Sequence, residues 1–282
     1  MSRNRTSRTG LAAFGLAAGV AACLAWAAPV GADVVTLGDA NAEVVIDLAS
    51  DAGMYQWIVD GVDHLKKQWF WFRVGDTGPE MSLDTLSLIG AVSSGDPLDP
   101  DPRDERLVAK YGGTGFEIEV DILLTGLGTG NGAGINESIK ITRTETADLD
   151  FHFFQYADFD LDGDAADDSV EITGDPGYKN AARQVDDSVI SENIATLPSQ
   201  YAAAAYSVIL DSLTNLGPDN LGQVAGPVTN NDLTWAFQWD FTLDDNDPEF
   251  IISKKKNLIP EPAALTLAAA GGVVALSRRR RR

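Results

Sequence analysis

Phe116-Glu117-Ile118-Glu119-Val120-Asp121-Ile122-Leu123-Leu124 and Trp235-Ala236-Phe237-Gln238-Trp239-Asp240-Phe241-Thr242-Leu243 decide the fold. In both, large apolar side chains recur at every second residue. That period puts them on one face of an extended strand and leaves charged, polar or small groups on the other, as in a half-buried antiparallel strand. Working outward, Glu43 to Leu48, Tyr55 to Val59, Gln68 to Val74, Arg106 to Tyr111, Ser138 to Thr144, Asp150 to Asp158, Ser169 to Thr173 and Phe250 to Ser253 read as further strands. Turn-rich stretches such as Asp96 to Asp104 and Gly126 to Gly134 separate them. One helix is predicted from about Gln200 to Leu213, with Ser199 as its N-cap and Tyr206, Ile209, Leu210 and Leu213 on one face. Many strands and one short helix predict an all-β antiparallel β-sandwich, jelly-roll-like or Ig-like.

The two ends have a different chemistry. Arg3, Arg5 and Arg8 precede an apolar run from Leu11 to Ala28 and the small residues Val30-Gly31-Ala32. This is the layout of a secretory signal helix cleaved between Ala32 and Asp33, with residues 1–32 as the signal peptide. Val20-Ala21-Ala22-Cys23 also resembles a lipobox, although the run stays apolar past Cys23. Three of the 21 basic residues lie in this stretch and five in the tail, leaving 13 against 42 acids and a net charge near −29 between the ends. Such a field repels nucleic acid and suits a soluble extracellular protein with cations nearby. Cys23 is the single cysteine, so the 33–256 body has no disulfide and depends on its core.

At the other end, Pro260-Glu261-Pro262 precedes the apolar run Ala263 to Leu276 and then Arg278, Arg279, Arg280, Arg281 and Arg282. The prolines hold this segment extended, with the Glu261 carboxylate presented outward. The fourteen apolar residues reach only ~21 Å as a helix, short of a hydrocarbon core of roughly 30 Å. The arginines stay on the cytoplasmic side. Residues 257–282 resemble the PEP-CTERM sorting signal of bacterial exported proteins. The resemblance implies recognition by an exosortase, transient residence in the inner membrane through a short transmembrane helix, and delivery to the cell envelope or exterior. Gln68 to Gly75, Asp150 to Leu161 and Leu233 to Leu243 also resemble segments recurrent in such proteins, without supplying a catalytic residue.

Four features bear on chemistry. Asp158-x-Asp160-x-Asp162-Gly163-Asp164, followed by Asp168, has the carboxylate spacing of an EF-hand-type calcium loop. It lacks the closing Glu and the flanking helices, so a solvated hairpin tip competes with a calcium site. Calcium is the only cofactor these residues suggest. Trp57, Trp69, Phe70, Trp71, Phe72, Trp235 and Trp239 are expected chiefly in the core; exposed in a row, they would make a platform for exopolysaccharide. His64 and His152 have no partner at ligand spacing, and no serine-hydrolase elbow, zinc-protease motif or nucleotide loop is present. Lys254-Lys255-Lys256 reads as a linker beyond the last strand or a contact for anionic headgroups, with the body ending near Ser253.

The expectation from these residues is a non-enzymatic envelope or matrix protein with no catalytic residue. A carbohydrate-binding module and a carboxylate-based hydrolase are the alternatives. The first of these needs surface tryptophans; the other needs facing carboxylates with shifted pKa values in a cleft.

Overall fold

The alternation of Phe116 to Leu124 is realised as a strand whose apolar residues at every second position are buried while the intervening acids are half-buried. The structure is a computed structural model and describes residues 33–174 and 177–260. Ala32, the remaining signal-region residues and Glu261 to Arg282 lie outside the described residues; Asp33 and Pro260 lie at their edges. Among the described residues no helix is long and apolar enough to cross a membrane.

In chain order the strands are β1 (Val34–Asp39), β2 (Ala42–Asp47), β3 (Gly53–Val59), β4 (Val62–Asp63), β5 (Lys67–Val74), β6 (Met81–Ser82), β7 (Ser87–Ser94), β8 (Arg106–Gly113) and β9 (Phe116–Gly126). They continue as β10 (Ala133–Arg143), β11 (Leu149–Asp158), β12 (Asp168–Thr173), β13 (Ala181–Val185), β14 (Val189–Ile194), β15 (Gln200–Ala205), β16 (Val228–Asn231), β17 (Leu233–Leu243) and β18 (Glu249–Ile259). Among the described residues one α-helix, α1 (Val208–Thr214), follows β15.

Two sheets form a sandwich. The first has the order β1-β2-β3-β5-β11-β17-β15, with β4 beside β3 and β6 beside β5; the second runs β16-β12-β13-β14-β18-β10-β9-β8-β7. Pairing is antiparallel except for a brief parallel contact of β3 with β5. The all-β sandwich expected from the alternation is thus what the chain forms.

Aromatic side chains fill the space between the sheets. Phe70 stacks on Phe153, Phe72 on Phe151 and Phe159 on Trp235, while Phe116 meets Phe151 edge-on from the second sheet. Such rings combine large burial with favourable offset or edge geometry. Gly53 is required where β3 meets β5: its φ is +58°, and a Cβ there would overlap the Trp69 ring.

Three local expectations are corrected. Residues 200–205 are not helical but form β15, because the alanine run pairs along β17 from Gln200↔Gln238 to Ala205↔Leu233. Sheet pairing here overrides the helix preference of alanine. Ser199 accordingly caps no helix; its hydroxyl accepts the Asp240 amide. The third correction concerns Lys254 to Lys256, which are no linker, and of which Lys254 and Lys256 are buried and can touch no headgroup. β18 runs on to Ile259 between β14 and β10, so strand pairing continues past the expected boundary at residue 256.

Within β18, Ile252, Lys254, Lys256 and Leu258 share the inward face, and both ammonium groups are wholly buried. Lys254 lies 2.6 Å from Glu137, and Lys256 lies 2.9 Å from Glu137 and 2.8 Å from Glu192. Glu192 also accepts from Trp235 Nε1 at 2.7 Å and Gln155 at 3.0 Å, and Glu137 accepts from Gln68 at 2.5 Å. Two cations and two anions therefore neutralise each other inside an apolar core, with polar neighbours occupying other lone pairs. Buried charge is tolerated on those terms.

Candidate acid–base site on the outer face of the first sheet

The side chains of β5, β11 and β17 that point away from the second sheet make a second face, with residues in register. Arg73 faces His152, which faces Asp240; the next row is Trp71, Phe154 and Gln238, then Trp69, Tyr156 and Ala236. Much of this face is covered. Asp219, Asn220 and Leu221, in the connection after α1, are hydrogen-bonded to Arg73 and Gln238, and Asp84 lies beside Trp69. Trp69 and Trp71 on this face are consequently 1% exposed; Trp57, Trp235 and Trp239 are 0–1% exposed, Phe70 and Phe72 are buried too, and the sugar platform of surface tryptophans is ruled out for this set.

A polar network crosses the covered face and ends at an imidazole. The Arg73 guanidinium is 4% exposed and bonds to Glu80, the Asp219 carbonyl at 2.8 Å and Asn220 Oδ1 at 3.0 Å. Asn220 Oδ1 also accepts from Gln238 Nε2 at 2.9 Å, which in turn donates to Asp240 Oδ1 at 2.7 Å. His152 Nδ1 lies 2.7 Å from the same Asp240 oxygen. That carboxylate holds the proton on Nδ1 and leaves the Nε2 lone pair free. Nε2 is buried without a hydrogen-bond partner, and the exposed Asp76 carboxylate stands 3.8 Å from it. An imidazole oriented by a carboxylate, with its other nitrogen free, can take up and return a proton.

Sequence reasoning left His152 without a partner because Asp240 is 88 residues away. Both belong to alternating strands, and only the β11–β17 register joins them. His64 is placed elsewhere: it is 2% exposed, and its Nδ1 accepts the Asp162 amide at 3.0 Å. Burial lowers its pKa against the opposing pull of Asp162, Asp63 and Asp60.

The calcium-loop candidates do not surround one point. Asp162 accepts from Ser188 at 2.7 Å, Asp164 caps the Ala166 amide at 3.0 Å, and Asp168 accepts from Gln184 at 2.7 Å. Asp158 and Asp160 converge instead with Asp232, a residue the sequence pattern did not single out. Its position just before β17, beside the end of β11, makes it a neighbour.

No protein-family model and no curated protein matches the chain. Its fold is similar to several solved structures. A bacterial glucoamylase complexed with acarbose matches at 10% identity and TM-score 0.55 over 84% of this chain; the chain spans 34% of the length of that glucoamylase. The Slr1438 protein from Synechocystis sp. PCC 6803 matches at 10% identity and TM-score 0.50, over 81% of this chain and 96% of its own. A galactose mutarotase-like protein from Lactobacillus casei ATCC 334 covers 80% of this chain and 99% of its own at 9% identity and TM-score 0.41, a likeness too loose to argue from. The likeness to the glucoamylase corrects the expectation of a non-enzymatic protein. The sandwich shares its fold with a portion of that glucoamylase.

Proposed function

We propose that the chain is an exported carbohydrate-processing protein in which His152, oriented by Asp240, carries protons to and from a sugar oxygen. The observation that carries this is the 2.7 Å His152–Asp240 pair, with Nε2 free of any hydrogen bond. The fold shared with part of a glucoamylase supports carbohydrate as the substrate class. When the sugar displaces the exposed Asp76 side chain from the buried Nε2, that nitrogen takes the proton of the anomeric hydroxyl as the C1 carbonyl forms and the ring C1–O bond breaks, or the proton of a water that attacks C1 of a glycosidic bond. Asp240 stabilises the imidazolium so formed, and the same nitrogen then gives the proton to the ring oxygen in mutarotation, or to the departing glycosidic oxygen when water has attacked C1. Arg73, Asn220 and Gln238 are positioning residues that fix Asp240. Within the all-β class, each nine-stranded sheet equals an immunoglobulin variable domain in strand number. We therefore read the sandwich as glucoamylase-portion-like rather than jelly-roll-like or Ig-like.

The test is polarimetric mutarotation of aldoses alongside release of reducing sugar from α-glucans. The wild-type chain should accelerate one of the two. His152→Gln should lower that rate by about 10²–10⁴-fold, and Asp240→Asn should change its pH profile. A wild-type chain silent in both assays, or a fully active His152→Gln variant, refutes the proposal.

The ends belong to the same proposal. Arg3 to Ala32 supports export with cleavage before Asp33, and Pro260-Glu261-Pro262 with its apolar run and arginines supports processing by an exosortase. Intact mass of protein recovered from the cell exterior should lack both ends, and Glu261→Ala should retain the tail. An unchanged mature mass in that variant removes the sorting role.

A further inference from the structure

We infer that Asp158, Asp160 and Asp232 form a binding site for a hard divalent cation, Ca²⁺ or Mg²⁺, at the opposite end of the outer face from His152. Six residues of β11 separate the two places, about 20 Å at ~3.4 Å per residue. One carboxylate oxygen from each aspartate lies within 4.8 Å of the other two. The three come from the end of β11, the loop after it and the junction of β16 with β17, so the fold and not a local motif assembles them.

Their proximity alone would not make a site, but the bonding state of Asp158 points to a ligand. Its side chain is 2% exposed; Oδ2 accepts the Tyr156 hydroxyl at 3.1 Å, while Oδ1 has no partner. Asp232 Oδ1 is likewise buried and unpartnered. A buried carboxylate oxygen with neither donor nor cation costs several kcal/mol or forces protonation. Lys66 is the nearby cation, yet among the described ion pairs none joins it to these three residues. Neighbouring Asp168 adds to the strain: it is fully buried, with Oδ1 also unpartnered.

An oxygen-only donor set selects hard cations over metals that prefer thiolate or imidazole. Entry is available, because Asp160 borders a cleft of about 500 Å³ lined also by Tyr55, Gln56, Asp63 and Lys66. Titration agrees with the geometry: burial first, then the Asp232 charge, pushes Asp158 up to about 7 and moves Asp160 the same way. A bound dication would reverse both shifts.

The test reads binding rather than catalysis, so it stands or falls separately from the sugar assays. The purified chain, stripped with EDTA, is melted at neutral pH with Ca²⁺ or Mg²⁺ up to ~10 mM, a range that covers weak extracellular sites. One of the two should raise Tm progressively with concentration. Tb³⁺ should give luminescence sensitised by Tyr156 and be displaced by the stabilising cation. Asp160→Asn and Asp232→Asn, both partly exposed, should abolish the Tm rise and the Tb³⁺ signal, whereas Asp164→Asn should keep both. A Tm that neither cation moves, or losses caused by Asp164→Asn but not by Asp232→Asn, would overturn the assignment.

Discussion

Lys256 Nζ of β18 lies 2.8 Å from Glu192 of β14, and neither side chain reaches solvent. Each is one corner of the four-charge group inside the sandwich, so removing one corner strands an uncompensated ion. Lys256→Met should destabilise the chain by about 3–5 kcal/mol in urea denaturation. Lys256→Met combined with Glu192→Leu should cost much less than the sum of the two single changes. Simple additivity would show that the charges do not act as a group.

The same group sets the acid limit. Burial opposes ionisation of Glu192, but Lys256 and Lys254, with hydrogen bonds from Lys256 and Trp235, outweigh it and bring its pKa down to about 2. The unfolded chain protonates this carboxylate near 4.5. Its contribution is therefore complete above pH 4.5 and is lost as pH falls through about 2. Urea midpoints between pH 5 and 2 should decline, and Glu192→Gln should be less stable at pH 6 with a flatter acid limb.

Asp158 has the opposite sign. With its pKa raised from 3.8 to about 7, the folded state holds more protons than the unfolded chain in between. Stability in EDTA should then fall as pH rises through that window. Asp158→Asn should remove this component, visible as a shallower slope of Tm against pH.

Tryptophan fluorescence reports burial on both faces of the first sheet. Trp57, Trp69, Trp71, Trp235 and Trp239 are almost wholly buried, so native emission should be blue-shifted and weakly quenched by iodide. Trp239→Ala should cost about 3–5 kcal/mol in chemical denaturation. Strong iodide quenching of the native protein would contradict the burial.

Gly53 offers a backbone test. Its φ of +58° and the Trp69 ring, which occupies the place a methyl group would take, leave no room for alanine. Gly53→Ala should destabilise by about 1–3 kcal/mol in the same denaturation assay. Alanine at Gly61, where no atom lies within 4 Å, meets only the backbone penalty of its own φ of +85°.

The alternation at Phe116 to Leu124 was legible because one side of β9 meets the core and the other meets water. The same pattern at Trp235 to Leu243 hid a second buried face: Thr234, Ala236 and Gln238 are covered as well. Small and polar residues there read as solvent-facing, but they accept a covering segment. β18 kept its period through Lys254 and Lys256, yet the charges disguised it, since their partner Glu137 lies more than a hundred residues upstream. His152 and Asp240 were equally opaque, because neither residue type nor spacing signals a cross-strand pair. The acidic loop was half legible: Asp158 and Asp160 belong to the cluster, while Asp232 enters it only through folding.

β18 lies in the middle of its sheet, bonded to β10 on one side and β14 on the other, and it is the last strand before Pro260. A pull on the chain beyond Ile259 along the strand axis therefore loads both ladders in shear. Their hydrogen bonds must fail together instead of peeling one at a time. A molecule tethered by this end would carry tension through its own centre, along the strand that holds Lys254 and Lys256.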